Sequence, residues 1–202
     1  MNLTLYGLKQ TRSMRPQWLL EELGLDYTFI EVDIFQGKGF TKAYKKIHPY
    51  GQVPALDVDG HIFFESGAIC HWLADQFPEK RLAPALDSPL RAEYEQWMFY
   101  ATATLEPPAF SYMLHTKILP ADKRVQAIAD WNEKQYIYIL KILNRLLKNK
   151  LYLVDKQFSA ADIMVAYLLF WFPEKLAPFS ALQEYCGRLE KREAYLKISS
   201  ST

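Results

Sequence analysis

The chain has 202 residues and a mass of 23.6 kDa, half of its residues are apolar, and its formal net charge at pH 7 is +1. This length and apolar content predict one large or two modest globular domains and exclude a largely disordered chain. The near-neutral charge argues against nucleic acid and anionic membrane as partners, and two distant cysteines, Cys70 and Cys186, argue against a disulfide scaffold. With no apolar leader and no apolar run long enough for a bilayer, we expect a soluble, cytoplasmic protein.

The N-terminal segment predicts two strands joined by a helix. Alternating residues predict a first strand at Leu3 to Tyr6, and apolar residues at helical spacing predict a helix from Ser13 to Leu23 that Gly24 terminates. A second strand is expected within Asp26 to Ile34. A helical crossover between two strands is the βαβ unit of a parallel pair. The basic segment Phe35 to Ile47 that follows predicts a short exposed helix.

The next stretch predicts a β-hairpin followed by a helix. Asp59-Gly60 lies between Ala55–Val58 and His61–Phe64, and this dipeptide between apolar runs is a strong hairpin signal. Ser66 is placed to cap the helix that follows. Pro54 stands at the mouth of the first hairpin strand, where its missing N–H is tolerated only at an edge or in a turn.

The second half of the chain predicts helices only. Prolines between residues 78 and 89 mark a linker. Apolar periodicity beyond it predicts helices at Leu90–Leu105, Phe110–Leu119, Ala121–Lys148 and Ile163–Phe172, the first of them broken by Pro107-Pro108. Ser159 and Asp162 form a capping box ahead of the last of these helices. The predicted fold class is therefore α/β plus all-α, with domains at residues 1–77 and 90–202.

The N-terminal half resembles the glutathione-binding domain of the glutathione transferases, whose βαβ–α–ββα order is thioredoxin-like. In that family the proline matching Pro54 is cis, so that the backbone of the preceding residue, here Val53, pairs with the cysteinyl part of glutathione. The residues matching Glu65 and Ser66 hold its γ-glutamyl end, and Gln52 is placed to reach its glycine carboxylate. The resemblance thus implies glutathione as co-substrate.

The residue that handles the thiol is expected just before the first helix. Free glutathione has a thiol pKa near 8.5, and a hydroxyl donor with a helix N-terminus lowers it. The segment resembles bacterial and fungal transferases of the serine type, which carry Ser-Arg-Ser where this chain has Thr11-Arg12-Ser13. Thr11 is therefore the first candidate, although threonine is a departure. Ser13, which could instead cap the helix, is the second, and Tyr6, which could instead be a packing residue, is the third.

The resemblance implies an enzyme that transfers small electrophiles to glutathione, acts as a homodimer, and accepts the electrophile among aromatic-rich helices. The alternative is a regulatory protein of the same fold that binds transcription machinery, and threonine at position 11 keeps that alternative open. Two basic residues have two interpretations each: Lys38 reaches the glycine carboxylate or, as the favoured interpretation, is a solvated lysine, and Arg15 supports the site electrostatically or lies on the helix surface. The histidines lack metal-ligand spacing, so we expect no metal site.

Overall fold

A computed structural model describes residues 1–200 of the chain. The described residues divide into two units, the first formed by Met1–Ala85 together with the residues from Glu190 onward, and the second by Leu86–Leu189. Because each unit has its own packed core, each is considered by itself below.

The first unit is built on a mixed four-stranded sheet with strands β1 (Leu3–Gly7), β2 (Thr28–Glu31), β3 (Ala55–Val58) and β4 (His61–Phe64). The strands lie in the order β2-β1-β3-β4. β1 is parallel to β2 and antiparallel to β3, and β3 forms the predicted hairpin with β4. The predicted fold class is confirmed, although the second strand is shorter than expected.

Eight α-helices lie within the described residues. Their bounds are α1 (Met14–Leu23), α2 (Ser66–Gln76), α3 (Arg91–Tyr100), α4 (Glu106–Met113), α5 (Gln126–Leu147), α6 (Ala160–Leu169), α7 (Ser180–Leu189) and α8 (Glu193–Ser200). Gly24 ends α1 as predicted, in the left-handed conformation with φ 69°, and its N–H is donated to the last carbonyls of the helix.

The C-terminal helix packs with the first unit. The rings of Trp18 in α1 and Tyr195 in α8 have centroids 4.7 Å apart. Nearby, Arg192 donates two hydrogen bonds to the carboxylate of Glu22, at 2.6 and 2.7 Å. The sequence analysis assigned these last residues to the helical domain, but in the structure they pack against α1 in the first unit.

The basic segment between β2 and β3 forms two short 3-10 turns, Lys38–Phe40 and Tyr44–Lys46, in place of the expected helix. Gly39 and Gly51 approach each other so closely that a Cβ on Gly39 would lie 2.0 Å from the Gly51 carbonyl oxygen. Only glycine permits such a contact between backbones. The pair therefore attaches the basic segment to the loop that leads into β3.

The predicted break at Pro107-Pro108 is wrong. Both prolines lie in the first turn of α4, directly after a π-helical turn. A π-helical turn, Ala101–Leu105, joins α3 to α4 and carries the chain into the prolines without a break. The aromatic stretch and the following helix are therefore one continuous helical path.

The core of the second unit is α6, all of whose residues are buried. The predicted capping box at its start is present, with the side chains of Ser159 and Asp162 each bonded to the other's backbone. None of the helices in residues 1–200 combines the length and the apolar character that crossing a membrane requires.

Candidate functional site

Two hydroxyls meet where β1 leads into α1. Thr11 Oγ1 and Ser13 Oγ are 2.9 Å apart. The Thr11 hydroxyl donates to the carbonyl oxygen of Leu8 at 2.6 Å, and the backbone N–H of Leu8 donates to Ser13 Oγ at 3.2 Å. Leu8 thus holds both hydroxyls in one small network.

The directions of these bonds follow from the number of protons. A threonine hydroxyl has one proton, and here it points to the Leu8 carbonyl. The contact between the two hydroxyls therefore has Ser13 as donor and Thr11 as acceptor. A hydroxyl that accepts one hydrogen bond becomes a better donor of the next. Ser13 thus strengthens Thr11 as a donor.

The two hydroxyls differ in access. Ser13 is 1% exposed, whereas Thr11 is partly exposed. In the described part of the chain, the Ser13 side chain engages Leu8 and Thr11 and makes no capping bond to α1. The side chain of Ser13 therefore does not cap α1, which was its alternative role. Of the pair, Thr11 is the hydroxyl that a ligand can reach.

Gly7, which sequence reasoning did not single out, allows this arrangement. A Cβ at Gly7 would lie 2.8 Å from Ser13 Cβ and 2.9 Å from Cε2 of Phe29. The φ angle of Gly7 is one that any residue can adopt, so glycine is needed here because a side chain would not fit. The signal in the sequence was a glycine at the end of a strand, directly before the candidate segment.

Arg15 joins the starts of α1 and α2. It is 1% exposed, and its Nη1 donates to Ser66 Oγ at 3.0 Å. Arg15 is therefore an internal residue and does not lie on the helix surface. Ser66 is the first residue of α2 and not its N-cap, which is a correction to the sequence analysis. The hydroxyl of Ser66 accepts from a guanidinium 51 positions away, and no local pattern indicates such a partner.

The electrostatic potential is positive at the starts of α1 and α2. The first turn of α1, Met14 to Gln17, carries no acidic residue. The charge of Arg15 acts on Cys70 by lowering the pKa of that thiol, although burial dominates and raises it to about 12. Unpaired N–H groups at helix N-termini add partial positive charge. The region is thus suited to a thiolate or a carboxylate.

Glu65, the cap position of α2, is exposed and has φ 76° and ψ 111°. A non-glycine residue in this part of the φ/ψ map costs on the order of 1–3 kcal/mol, and such residues cluster at ligand sites. The carbonyl oxygen of Glu65 accepts the first hydrogen bond of the helix, from Ile69. The strained backbone thus directs the side chain of Glu65 outward at the helix start.

The loop before β3 lies at the same edge. The Val53–Pro54 peptide bond is cis. β1 and β3 are antiparallel and pair Tyr6 with Ala55, so the loop before β3 lies at the end of the sheet where β1 leads into α1. Gln52 has an exposed side chain, and its carbonyl oxygen accepts a 2.8 Å hydrogen bond from the hydroxyl of Tyr44. Tyr44 is a supporting residue that sequence reasoning missed, since only the folded segment brings it to the loop.

Tyr6, the third thiol candidate, lies apart from the hydroxyl pair. It alternates along β1 with the fully buried Leu5, so it points to the opposite face of the sheet. There its ring contacts that of Tyr44, with centroids 6.1 Å apart. Lys38 lies on the same side, and both residues line a surface concavity of about 290 Å³.

The structure therefore brings together seven of the eight candidate site residues at one end of the sheet: Thr11, Ser13, Gln52, Val53, Pro54, Glu65 and Ser66. His48, beside this loop, is buried, which lowers the pKa of its imidazole against the opposing charge of Glu65. No cluster of three His, Cys, Asp or Glu side chains suited to a metal ion occurs within residues 1–200.

Comparison with known proteins identifies the family. The model described as "Glutathione S-transferase, N-terminal domain" matches residues 1–75, and the model described as "Glutathione S-transferase, C-terminal domain" matches residues 100–196. The first match contains every candidate site residue named above. The second covers most of the helical unit.

Full-length relatives agree with this assignment. Glutathione S-transferase GstB of Escherichia coli is 31% identical over 203 residues, which cover 97% of each chain. Glutathione S-transferase 1 of Saccharomyces cerevisiae is 26% identical over 214 residues, covering 94% of this chain and 91% of the yeast protein.

The solved structures show the same fold. The glutathione transferase URE2P8 of Phanerochaete chrysosporium, crystallised with oxidized glutathione, superimposes with a TM-score of 0.91 at 19% identity, covering 99% of this chain and 94% of the fungal one. The fold class and the family predicted from the sequence are both confirmed. The chain belongs to the glutathione S-transferase family.

Proposed function

We propose that this protein is a glutathione transferase that uses the Thr11–Ser13 hydroxyl pair to stabilise the thiolate of glutathione for attack on a small electrophile. The observation that supports this most directly is the directed network in which Ser13 donates to a partly exposed Thr11. The names of the full-length relatives and the glutathione bound in the fungal structure support glutathione as the co-substrate.

The hydroxyl pair has only to donate a hydrogen bond to the sulfur of glutathione. On binding, the Thr11 hydroxyl turns from the Leu8 carbonyl to the glutathione sulfur, while Ser13 continues to donate to Thr11. A hydrogen bond to the charged form, two helix N-termini and the buried Arg15 all favour the thiolate, so the thiol releases its proton to solvent near neutral pH. The sulfur then attacks the electrophilic carbon with its lone pair, and the leaving group departs with the bonding pair.

The remaining site residues are assigned to holding glutathione. Val53, directly before Pro54, is assigned to pair its backbone with the cysteinyl unit. Glu65 and Ser66 receive the γ-glutamyl end at the start of α2, and Gln52 receives the glycine carboxylate. The strained backbone of Glu65 supports a ligand-binding role at that position.

Three finer predictions from the sequence belong to this proposal. The electrophile is a small hydrophobic molecule, the active form is a homodimer, and the protein works in the cytoplasm. The aromatic residues of α3 and α4 favour an apolar acceptor substrate.

The decisive experiment measures two quantities for the wild type and for three variants, Thr11→Val, Ser13→Ala and Tyr6→Phe. The first is the thiol pKa of bound glutathione, followed by thiolate absorbance. The second is the rate of conjugation with an aryl halide. Thr11→Val keeps the shape of threonine without its hydroxyl, and we expect it to raise the thiol pKa by one to two units and slow conjugation about 10- to 100-fold.

The matched control is Thr28→Val, at an exposed position of β2, and it should change neither quantity. Ser13→Ala should give a smaller loss than Thr11→Val, because it removes the supporting donor only. If Tyr6→Phe alone abolished activity, the assignment of the thiol to Thr11 would be wrong. Wild-type binding of glutathione without turnover of several electrophile classes would favour the regulatory alternative, which none of the comparisons favours.

A further inference from the structure

His48 is a buried titratable residue that the proposed function does not use. It lies in the first unit and is only 5% exposed. Burial lowers the pKa of the imidazole, so the ring is neutral near pH 7. Within residues 1–200, the Nδ1 atom of this ring is buried without a hydrogen-bond partner. The ring is therefore held by packing and acts as an aromatic side chain.

The imidazole packs against Phe64, the last residue of β4. The two ring centroids are 4.6 Å apart, and the ring planes are tilted by 37°. Tyr50 completes the cluster, with its ring centroid 6.4 Å from each of the other two. Because Tyr50 is 73% exposed, the contact of Phe64 with His48 is the buried one. Such ring contacts stabilise a pair of aromatic side chains beyond the effect of burial alone.

The backbone of His48 is fixed independently of its ring. Its N–H donates to the carbonyl oxygen of Tyr44, and its carbonyl oxygen accepts from the N–H of Gly51, both at 2.9 Å. The hydroxyl of Tyr44 in turn donates to the carbonyl oxygen of Gln52. His48 is therefore attached to the loop before β3, and its ring reaches from that loop to the end of β4.

The strained residue Glu65 lies between two fixed neighbours. On one side, Phe64 is paired with β3 in the sheet and packs against His48. On the other side, the hydroxyl of Ser66 accepts a hydrogen bond from Arg15. A strained backbone persists only where its surroundings hold it. The ring contact between His48 and Phe64 is thus one of the constraints that keep Glu65 at φ 76° and ψ 111°.

We infer that His48 is a positioning residue that holds Glu65 in the conformation that receives the γ-glutamyl end of glutathione. The inference rests on the proposed function, in which Glu65 binds that end. Without the imidazole ring, Glu65 relaxes into other conformations, and the affinity falls with the fraction of molecules that remain competent. The thiol is unaffected, because His48 takes no part in the network of Thr11 and Ser13.

The first test measures binding and turnover in His48→Ala. Calorimetry with S-methylglutathione, which has no thiol to titrate, should show binding weakened about tenfold. The KM for glutathione should rise in the same proportion, while kcat with an aryl halide and the thiol pKa of bound glutathione stay at their wild-type values. A general loss of structure would instead lower kcat as well.

A double-mutant cycle tests whether the effect passes through Glu65. Glu65→Gly removes the carboxylate, and glycine adopts a positive φ without strain. In the Glu65→Gly background, His48→Ala should therefore weaken binding of S-methylglutathione less than about twofold. Losses that multiply in the double variant would show that His48 acts elsewhere, and the inference would be overturned.

Two further variants serve as rescue and control. His48→Phe keeps an aromatic ring against Phe64 and should bind S-methylglutathione within about threefold of the wild type. His61→Ala, at an exposed position at the other end of β4, should bind as the wild type does. A loss in His48→Phe as large as that in His48→Ala would contradict a role for ring packing.

Circular dichroism establishes that each variant is folded at the temperature of measurement. If His48→Ala does not fold, Phe64→Leu takes its place, since it removes the other ring of the same contact and carries the same expectations. A wild-type protein that does not bind S-methylglutathione would overturn the proposed function and this inference together. Wild-type binding with unchanged affinity in His48→Ala would overturn this inference alone.

Discussion

Two helix starts in this protein carry hydrogen-bonded hydroxyls, yet they differ in burial. At α6, Ser159 and Asp162 are 3% and 0% exposed. The Asp162 carboxylate accepts four hydrogen bonds, from the backbone of Leu153 and Ser159, the hydroxyl of Ser159 and the hydroxyl of Tyr185. At α1, the hydroxyls of Thr11 and Ser13 also take part in four hydrogen bonds, but Thr11 is partly exposed.

We interpret the α6 network as a folding element and the α1 network as part of the proposed binding site. A network with every donor and acceptor paired in the dry interior holds one structure and offers nothing to a ligand. The α1 network ends instead on a hydroxyl whose acceptor is a single backbone carbonyl, so a ligand can take its place. Residue type and the number of hydrogen bonds do not distinguish the two cases, but burial does.

Breaking the α6 network should have the largest effect. Asp162→Ala leaves four buried donors without an acceptor, so we expect the free energy of unfolding to fall by about 3 to 5 kcal/mol. Urea unfolding followed by circular dichroism measures it. The control Asp87→Ala, at an exposed linker position, should change the value by less than about 0.5 kcal/mol. A similar small loss for Asp162→Ala would show that the carboxylate is not essential to the helical unit.

The same carboxylate should give the protein a distinctive pH dependence. Burial raises the pKa of Asp162 to about 6, against four hydrogen bonds that lower it. Between about pH 4 and pH 6 the folded state holds this proton and the unfolded state does not. Raising the pH through this window should therefore reduce the free energy of unfolding by about 3 kcal/mol relative to Asp162→Asn, which lacks the titration. Parallel pH profiles for the two proteins would contradict the raised pKa.

The α1 network should be sensitive to crowding at Gly7. Gly7→Ala places a methyl 2.8 Å from Ser13 Cβ, so we expect a loss of about 1–3 kcal/mol in stability together with slower conjugation. Gly187→Ala is the matched control, because a Cβ there meets no atom of the described residues within 4 Å and the position lies in α7. That variant should be neutral or stabilised by up to about 1 kcal/mol. Equal stability for both variants would show that Ser13 has room to shift.

The smallest effects are expected from removing one serine hydroxyl in each network. Ser159→Ala should cost about 1 kcal/mol of stability and leave the conjugation rate of the folded protein unchanged. Ser13→Ala should cost less than Ser159→Ala in stability but slow conjugation. Thermal unfolding and aryl halide turnover, measured on both variants, test the pattern. If both variants lost activity in proportion to stability, the proposed division between folding and binding would not hold.

Several local signals were read correctly from the sequence, where the residues that decide a feature lie within a few positions of one another. The Asp59-Gly60 hairpin, the Gly24 helix end and the Ser159–Asp162 capping box all match the structure. Predictions from the sequence were wrong where a partner distant in sequence, or an unusual backbone conformation, decided the local structure. Pro107-Pro108 did not break the helical path, because a π-helical turn precedes them.

The sequence by itself thus determined the element order, the family, and the segments from which the candidate site is built. Only the tertiary structure decided what each polar group does. Ser66 meets Arg15 across 51 positions, and Arg192 meets Glu22 across 170, because closing the chain into the sheet and helices brings these groups together. Propensity and capping act over a single turn, whereas a buried charge takes whichever partner the fold places beside it.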